Sequence, residues 1–349
     1  MNTVSTFLLS AGIVGIVLFL AARFDLNKLL LDLPNARSLH VVPTPRYGGV
    51  AIAIASIALL MPMGKPASLE LILTVSLVLA LVSIVDDYRP LPVVLKLFVQ
   101  IGAATMATME LANPAITSEV AGAARQMDWL FASPAGWCLA IAVIVWMTNL
   151  FNFMDGADGL AGGMTCIGFG AFAFAAATNF NPSPVVGISV VLAGSAAGFL
   201  LFNFPPATVF MGDVGSIPIG FLSAAIGTYG AVTGLWPWWF APLVFSAFIV
   251  DATATLIRRL LGGEKVWLAH REHYYQRLIL SGLSQRTTAL SYYFLMLMGA
   301  VSALIAQNSQ LQYPILTFWV ITYSALLWYL KRRFEKNKKV KPDEIHLAK

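Results

Sequence analysis

Eleven apolar stretches, each near the roughly 20 residues that a helix needs to cross a bilayer, divide this chain. They run approximately over 4–23, 47–63, 69–86, 92–112, 135–154, 159–178, 184–203, 215–234, 237–257, 287–307 and 313–331. Only a short link at 64–68 separates the second from the third. The fold expected is all-α: a polytopic integral membrane protein of about eleven transmembrane helices. One transmembrane domain would cover 1–331, followed by a basic tail over 332–349. Composition agrees, since 58% of the 349 residues are hydrophobic and 11% are charged, against about 25% charged in ordinary soluble domains. Residues 4–22 are long enough to stay as a first span, so no cleaved signal is required.

Charge sets the orientation. With the N-terminus outside, only Lys65 and Arg125 fall in outside loops, and twenty of the twenty-two Lys and Arg residues lie inside. The cytoplasmic segments are then 24–46, 87–91, 155–158, 204–214 and 258–286, plus the tail. From 331 to 349 eight basic residues face three acidic ones, which accounts for the whole net charge of +5. Such a tail suits a topogenic and lipid-facing role. A nucleic-acid partner is not expected, because neither interleaved aromatics nor a binding-fold signature accompanies it. Cys138 and Cys166 lie in apolar segments and form no metal or disulfide pattern.

Every conspicuous polar cluster falls on this inside face. "NLFNFMDGADGLAGG" begins at Asn149 and places Asn149, Asn152, Asp155 and Asp158 three residues apart, a slowly drifting polar stripe on a helix. "VDDYRPLPVVLK" supplies Asp86, Asp87 and Lys96, with Gln100 one turn on. "FNFPPATVFMGDVGS" supplies Asn203, Phe210 and Asp213. "VDATATLIRR" puts Asp251 and Arg258 seven apart on one helix face. "HREHYYQRL" carries His270, Arg271, His273 and Arg277; the first inside loop carries Arg37, His40, Arg46 and the pair Gly48–Gly49. Each cluster has a structural alternative: a charged helix end, asparagine glue between helices, an Asp251–Arg258 pair, solvated histidines. Their convergence argues for a site. Several aspartates at one face repel one another, and a hard divalent cation relieves that. Oxygen donors without sulfur select Mg²⁺, with Mn²⁺ as an alternative. Basic groups among the acids suit an anionic substrate such as a pyrophosphate.

"DDYRPLPVVLK", "NLFNFMDGADGLAG" and "FMGDVGS", in this order, resemble the polyprenyl-phosphate N-acetylhexosamine-1-phosphate transferases. That family includes the phospho-MurNAc-pentapeptide translocase and the enzymes that start O-antigen and enterobacterial common antigen synthesis. The resemblance runs from "PNARSLHVVPTPRYGG" to the loop before the tenth span. The eleven-span pattern is similar to the O-antigen branch. The loop His270-Arg271-Glu272-His273-Tyr274-Tyr275 departs from the translocase's histidine-rich loop, which speaks against a MurNAc-pentapeptide donor.

The resemblance implies transfer of HexNAc 1-phosphate from a UDP-N-acetylhexosamine of the GlcNAc, FucNAc or QuiNAc type to undecaprenyl phosphate, releasing UMP and initiating O-antigen or other surface polysaccharide. It implies a bacterial inner-membrane enzyme with its active site at the cytoplasmic face, among membrane lipids, and leaves room for a homodimer. By family position Asp213 is the Mg²⁺ ligand and, with Asp86 and Asp87, catalytic; Asp86 is favoured for deprotonating or orienting the lipid phosphate. Asn149, Asn152, Asp155, Asp158 and Phe210 are expected at the nucleotide, and Lys96, His270, Arg271 and His273 at phosphates or sugar. A secondary transporter of an anionic solute is the reading of another class, but the acids lie at span ends and no internal repeat is visible. A scaffold protein would not need so many separated acidic blocks.

Overall fold

The computed structural model describes residues 2–24, 30–34, 39, 40, 42–119, 127–178, 183–266, 268 and 270–340. Arg37 and the end of the basic tail therefore lie outside the described residues.

All eleven apolar stretches are helical at their expected places. Among the described residues, nine helices are long and apolar enough to cross a membrane: α1 (Thr3–Arg23), α3 (Ala67–Tyr88), α4 (Val93–Ala112), α6 (Pro134–Met154), α7 (Leu160–Ala177), α8 (Pro184–Asn203), α9 (Asp213–Val232), α13 (Gln285–Ala306) and α14 (Gln312–Val340). The second stretch is shorter than expected, α2 (Gly48–Leu60), because 45–49 is held against another loop before the helix starts. The ninth is broken at Phe245 into α10 (Phe240–Val244) and α11 (Ser246–Leu261). Two short helices lie in connectors, α5 (Asp128–Phe131) and α12 (Tyr274–Leu280). The one strand pairing among the described residues is antiparallel, β1 (Leu31–Asp32) with β2 (Thr44–Pro45), Leu31 opposite Pro45.

The bundle is built around α9, whose spanning window is 94% buried. It packs on α3 and α6, while α7 lies on α8 and α8 on α1. With no aqueous phase between helices, such contacts rest on close packing of small side chains, and the Gly- and Ala-rich α7 and α8 supply them. By contrast α14 is 17% buried over its window and borders the bundle mainly along α13.

Up-and-down connections bring alternate helix ends together. The C-terminal ends of α3, α6, α8 and α11 thus meet the N-terminal ends of α4, α7, α9 and α13, and these are the ends that carry the polar motifs.

Candidate active site

Two loops form the floor of the site by zipping together. Phe210 N–H donates to Pro45 O at 2.8 Å, Gly48 N–H to Phe210 O at 2.9 Å and Gly49 N–H to Met211 O at 2.8 Å. The approach is too close for a side chain: a Cβ on Gly49 would lie 2.2 Å from Gly215 N. Gly212 then takes φ +70 as the N-cap of α9, a left-handed backbone that suits glycine, and places Asp213 at the first position of the helix. Anions are favoured at such a terminus.

Asp213 Oδ1 accepts from Asn152 Nδ2 at 2.7 Å, and the same amide donates to Ser216 Oγ at 3.0 Å. Asp155 caps the end of α6 and accepts from Gly212 N–H. Its carboxyl is held well above the usual range, first by burial and then by the charges of Asp213 and others. Asp158 is raised too, again by burial, against the opposing hydrogen bond from Ala207 N–H to its Oδ2 at 2.9 Å. Asn203 holds this corner: its amide donates to Val209 O and its oxygen accepts from Gly159 N–H, both at 2.9 Å.

Asn152, Asp155, Asp158, Phe210, Asp213 and His270 share the lining of one cavity of about 460 Å³. Arg46, His40, Asp32, Gln276 and Gln285 also line it. His40 stands edge-on to Phe210, ring centroids 4.9 Å apart, and 3.9 Å from Asp32. Burial, then His273 and two arginines, push His270 down to about 4, so its ring is neutral at ordinary pH.

Asp86 and Asp87 divide. Asp86 accepts from Leu91 N–H at 2.7 Å and from Lys96 Nζ at 2.9 Å, which occupies it in closing the turn between α3 and α4. Asp87 lies 3.6 Å from Arg46 Nη1, feels the charge of Asp213, and keeps a buried Oδ2 without a partner. Of the two, Asp87 is the one with an oxygen to offer.

Six candidates lie outside the cavity lining, Asp86 and Asp87 among them. Lys96 is paired with Asp86. Asn149 donates to Gln100 Oε1 at 2.7 Å and to Val145 O, joining α6 to α4. Steps of three residues lag a 3.6-residue turn by about 60° each, enough to turn Asn149 away while Asn152 faces in. Arg271 is exposed. His273 is buried, its ring stacked between Phe153 and Tyr275 and its Nδ1 3.5 Å from Asp251 Oδ1, a supporting position behind the cavity.

Asp251 is not paired with Arg258. It accepts the N–H groups of Tyr274 and Tyr275 at 2.8 and 3.0 Å and the hydroxyl of Tyr292, fixing the start of α12. Arg258 instead pairs with Glu272 at 3.0 Å.

Among the described residues no three His, Cys, Asp or Glu side chains are grouped closely enough to cage a metal. Clustered carboxylates, one with an unpartnered oxygen, do fit a hard cation held by one or two protein oxygens, with other positions left to water and phosphate.

The chain from 69 to 231 matches the model of the family described as glycosyl transferase family 4. It is 28% identical to a probable undecaprenyl-phosphate N-acetylglucosaminyl 1-phosphate transferase of Bacillus subtilis, covering 91% of this chain and 88% of that protein. With the decaprenyl-phosphate N-acetylglucosaminephosphotransferase of Mycolicibacterium smegmatis it shares 31% identity, over 85% and 80% respectively. A phospho-N-acetylmuramoyl-pentapeptide-transferase of Halalkalibacterium halodurans is 28% identical over 75% of this chain and 82% of its own length.

Proposed function

This chain belongs to glycosyl transferase family 4, and from that membership we propose that it moves an N-acetylhexosamine 1-phosphate from a UDP-linked donor to a polyprenyl phosphate. It is a multi-pass membrane transferase of sugar 1-phosphate. In our reading the acceptor is undecaprenyl phosphate, the donor carries GlcNAc or a 6-deoxy sugar such as FucNAc or QuiNAc, and the product starts O-antigen or another surface polysaccharide. The membrane is the bacterial inner membrane, with the cavity toward the cytoplasm, in keeping with the Lys and Arg asymmetry.

The chemistry is phosphoryl transfer. A phosphate oxygen of the acceptor attacks the β-phosphorus of the donor. As that P–O bond forms, the bond to the bridging oxygen breaks, and UMP leaves with that oxygen and its electron pair. Positioning and charge neutralisation do most of the work in such reactions. Phe210, edge-on to His40, offers an aromatic face to uracil. Asn152, Asp155 and Asp158 surround the ribose and pyrophosphate, and Arg46 brings a cation to the same cavity. Neutral His270 offers a hydrogen bond to the sugar. Asp87 orients the acceptor phosphate or takes its proton; a phosphate monoester's second pKa is near 6, so a strong base is not required. Asp213 would hold Mg²⁺, or Mn²⁺ in its place, and such an ion would supply neutralisation of the charge on the leaving phosphate.

The observation that carries this reading is the Asn152–Asp213 hydrogen bond beside Asp155 and Phe210 in one cavity. Two separate motifs contribute to it, one holding Asn152 and Asp155 and the other Phe210 and Asp213. Purified protein given undecaprenyl phosphate and a panel of UDP-HexNAc donors labelled in the β-phosphate tests it. Label should move to the lipid, with UMP as the other product. Release of UDP would mean that sugar alone is transferred and would overturn the reaction class.

A further inference from the structure

The short helix α12 has two working sides. Gln276 lines the catalytic cavity, and Tyr275 Oη donates to Phe153 O at 2.9 Å. Tyr274 and Arg277 look the other way, into a separate cleft of about 520 Å³ between α11, α12 and α14. Arg258, Arg277 and Lys331 supply its charge; Ile257, Leu261 and Phe334 supply apolar wall. The cleft stands at the same end of the bundle as the cavity, where α11 and the spanning part of α14 end.

Its cations are poorly matched. The guanidinium carbon of Arg277 lies 4.1 Å from the Phe334 ring centroid and 5.9 Å from that of Tyr274. Rings engage the faces of a guanidinium and leave its N–H edge for an anion. Among the described residues, no carboxylate lies within 4.0 Å of Arg277. Arg258 approaches the same Tyr274 ring at 6.0 Å. Its Nη2 is taken by Glu272, but its Nε is buried without a partner. Burial, and then the neighbouring Arg258, disfavour the charge on Arg277. Lys331 is exposed at the cleft's edge, one turn from Glu335. Three cations therefore meet two carboxylates, one of them tied to Arg258. Beside them Leu261 is 84% exposed and Ile257 50% exposed, an apolar wall open sideways to lipid.

We propose that this cleft binds the phosphodiester head group of an anionic phospholipid, with Arg277 and Lys331 on the phosphate and the first methylenes of the chains on Ile257 and Leu261. Basic pockets between helices at a cytoplasmic membrane surface have this chemistry. The open apolar wall selects a lipid over free phosphate. The wall is short, and the cleft shares no lining residue with the catalytic cavity, which selects a phospholipid over the polyprenyl acceptor.

Native mass spectrometry of the full chain in detergent tests this without donor or turnover, so its failure is distinct from failure of the transferase reading. The wild type should retain one phosphatidylglycerol in preference to phosphatidylcholine. Arg277→Gln and Lys331→Gln should each weaken that retention about fivefold, the effect of losing one cation near the surface. Lys331→Gln decides alone if Arg277→Gln fails to fold, because Lys331 is exposed. Equal retention of the two lipids, or unchanged retention in Lys331→Gln, overturns the proposal. Displacement by millimolar inorganic phosphate, or one-for-one by undecaprenyl phosphate, overturns it in favour of those occupants.

Discussion

Asp213 sits on the first turn of α9 with Asn152 donating to one of its oxygens. Asp213→Asn keeps the shape and removes the charge, so the melting temperature should hardly move. Transfer of β-labelled phosphate should fall by at least about a hundredfold, the scale of losing one electrostatic stabiliser in a transition state. Near-wild-type turnover at saturating Mg²⁺ would end the ligand assignment. His270 carries a pH prediction. Its folded value of about 4 lies below its ordinary value of 6.5. The unfolded chain therefore takes a proton between those limits that the folded chain refuses. Stability from this group is complete above pH 6.5 and is lost as the pH falls towards 4. Melting temperatures recorded across that window should fall less steeply in His270→Gln; an unchanged slope would place the acid sensitivity elsewhere. At this scale the sequence made legible which residues gather, since Asn152, Asp155, Asp158, Phe210 and Asp213 share one cavity lining. Orientation was not legible. Asn149 and Lys96 have the right chemistry but are turned into helix–helix and turn contacts, and Asp86 is spent on Leu91 and Lys96 while its neighbour Asp87 keeps a free oxygen.

The α12 helix was not visible in the sequence, because seven residues are too few to show a period and its first-turn donors are met from another helix. Asp251 is that partner, and its seven-residue spacing to Arg258 suggested a pair that the fold does not make. Asp251→Asn should cost about 1.5–3 kcal/mol, the worth of hydrogen bonds to a charged group. Amide exchange over 274–280 should speed up before the rest of the bundle responds; uniform exchange across the chain would argue against a local role. The contact between α2 and α9 gives a second test. Gly49→Ala sets a Cβ against backbone atoms of Gly215 that cannot rotate away. Overpacking of this kind costs about 1–3 kcal/mol, and here it also pushes the Arg46 loop off Phe210. Thermal unfolding and UMP affinity should suffer together; a variant that melts early but binds UMP normally would show the loop to be independent. The positions of the long helices, by contrast, were legible from apolar length alone, and the break at Phe245 was not, since both halves are equally apolar.

For the whole molecule, the Lys and Arg count argues for one arrangement, with the polar helix ends inside. Cysteine substituted at Ser309, between α13 and α14, should react with an impermeant reagent from outside, and one at Arg271 only after permeabilisation, in a background lacking Cys138 and Cys166. The reverse pattern would place the cavity on the wrong side for a nucleotide donor. The gathering of eight helix ends into one rim, where greasy segments stop and the cavity opens, has a kinetic consequence. The two reactants arrive from different phases and are counted in different units: the donor in moles per litre, the acceptor in molecules per area of bilayer. Adding inert lipid at constant total acceptor should slow the reaction, as surface dilution, while diluting the buffer at constant donor concentration should not. For such a catalyst the half-saturating acceptor level is a mole fraction, and the growth of the membrane itself becomes a term in its rate.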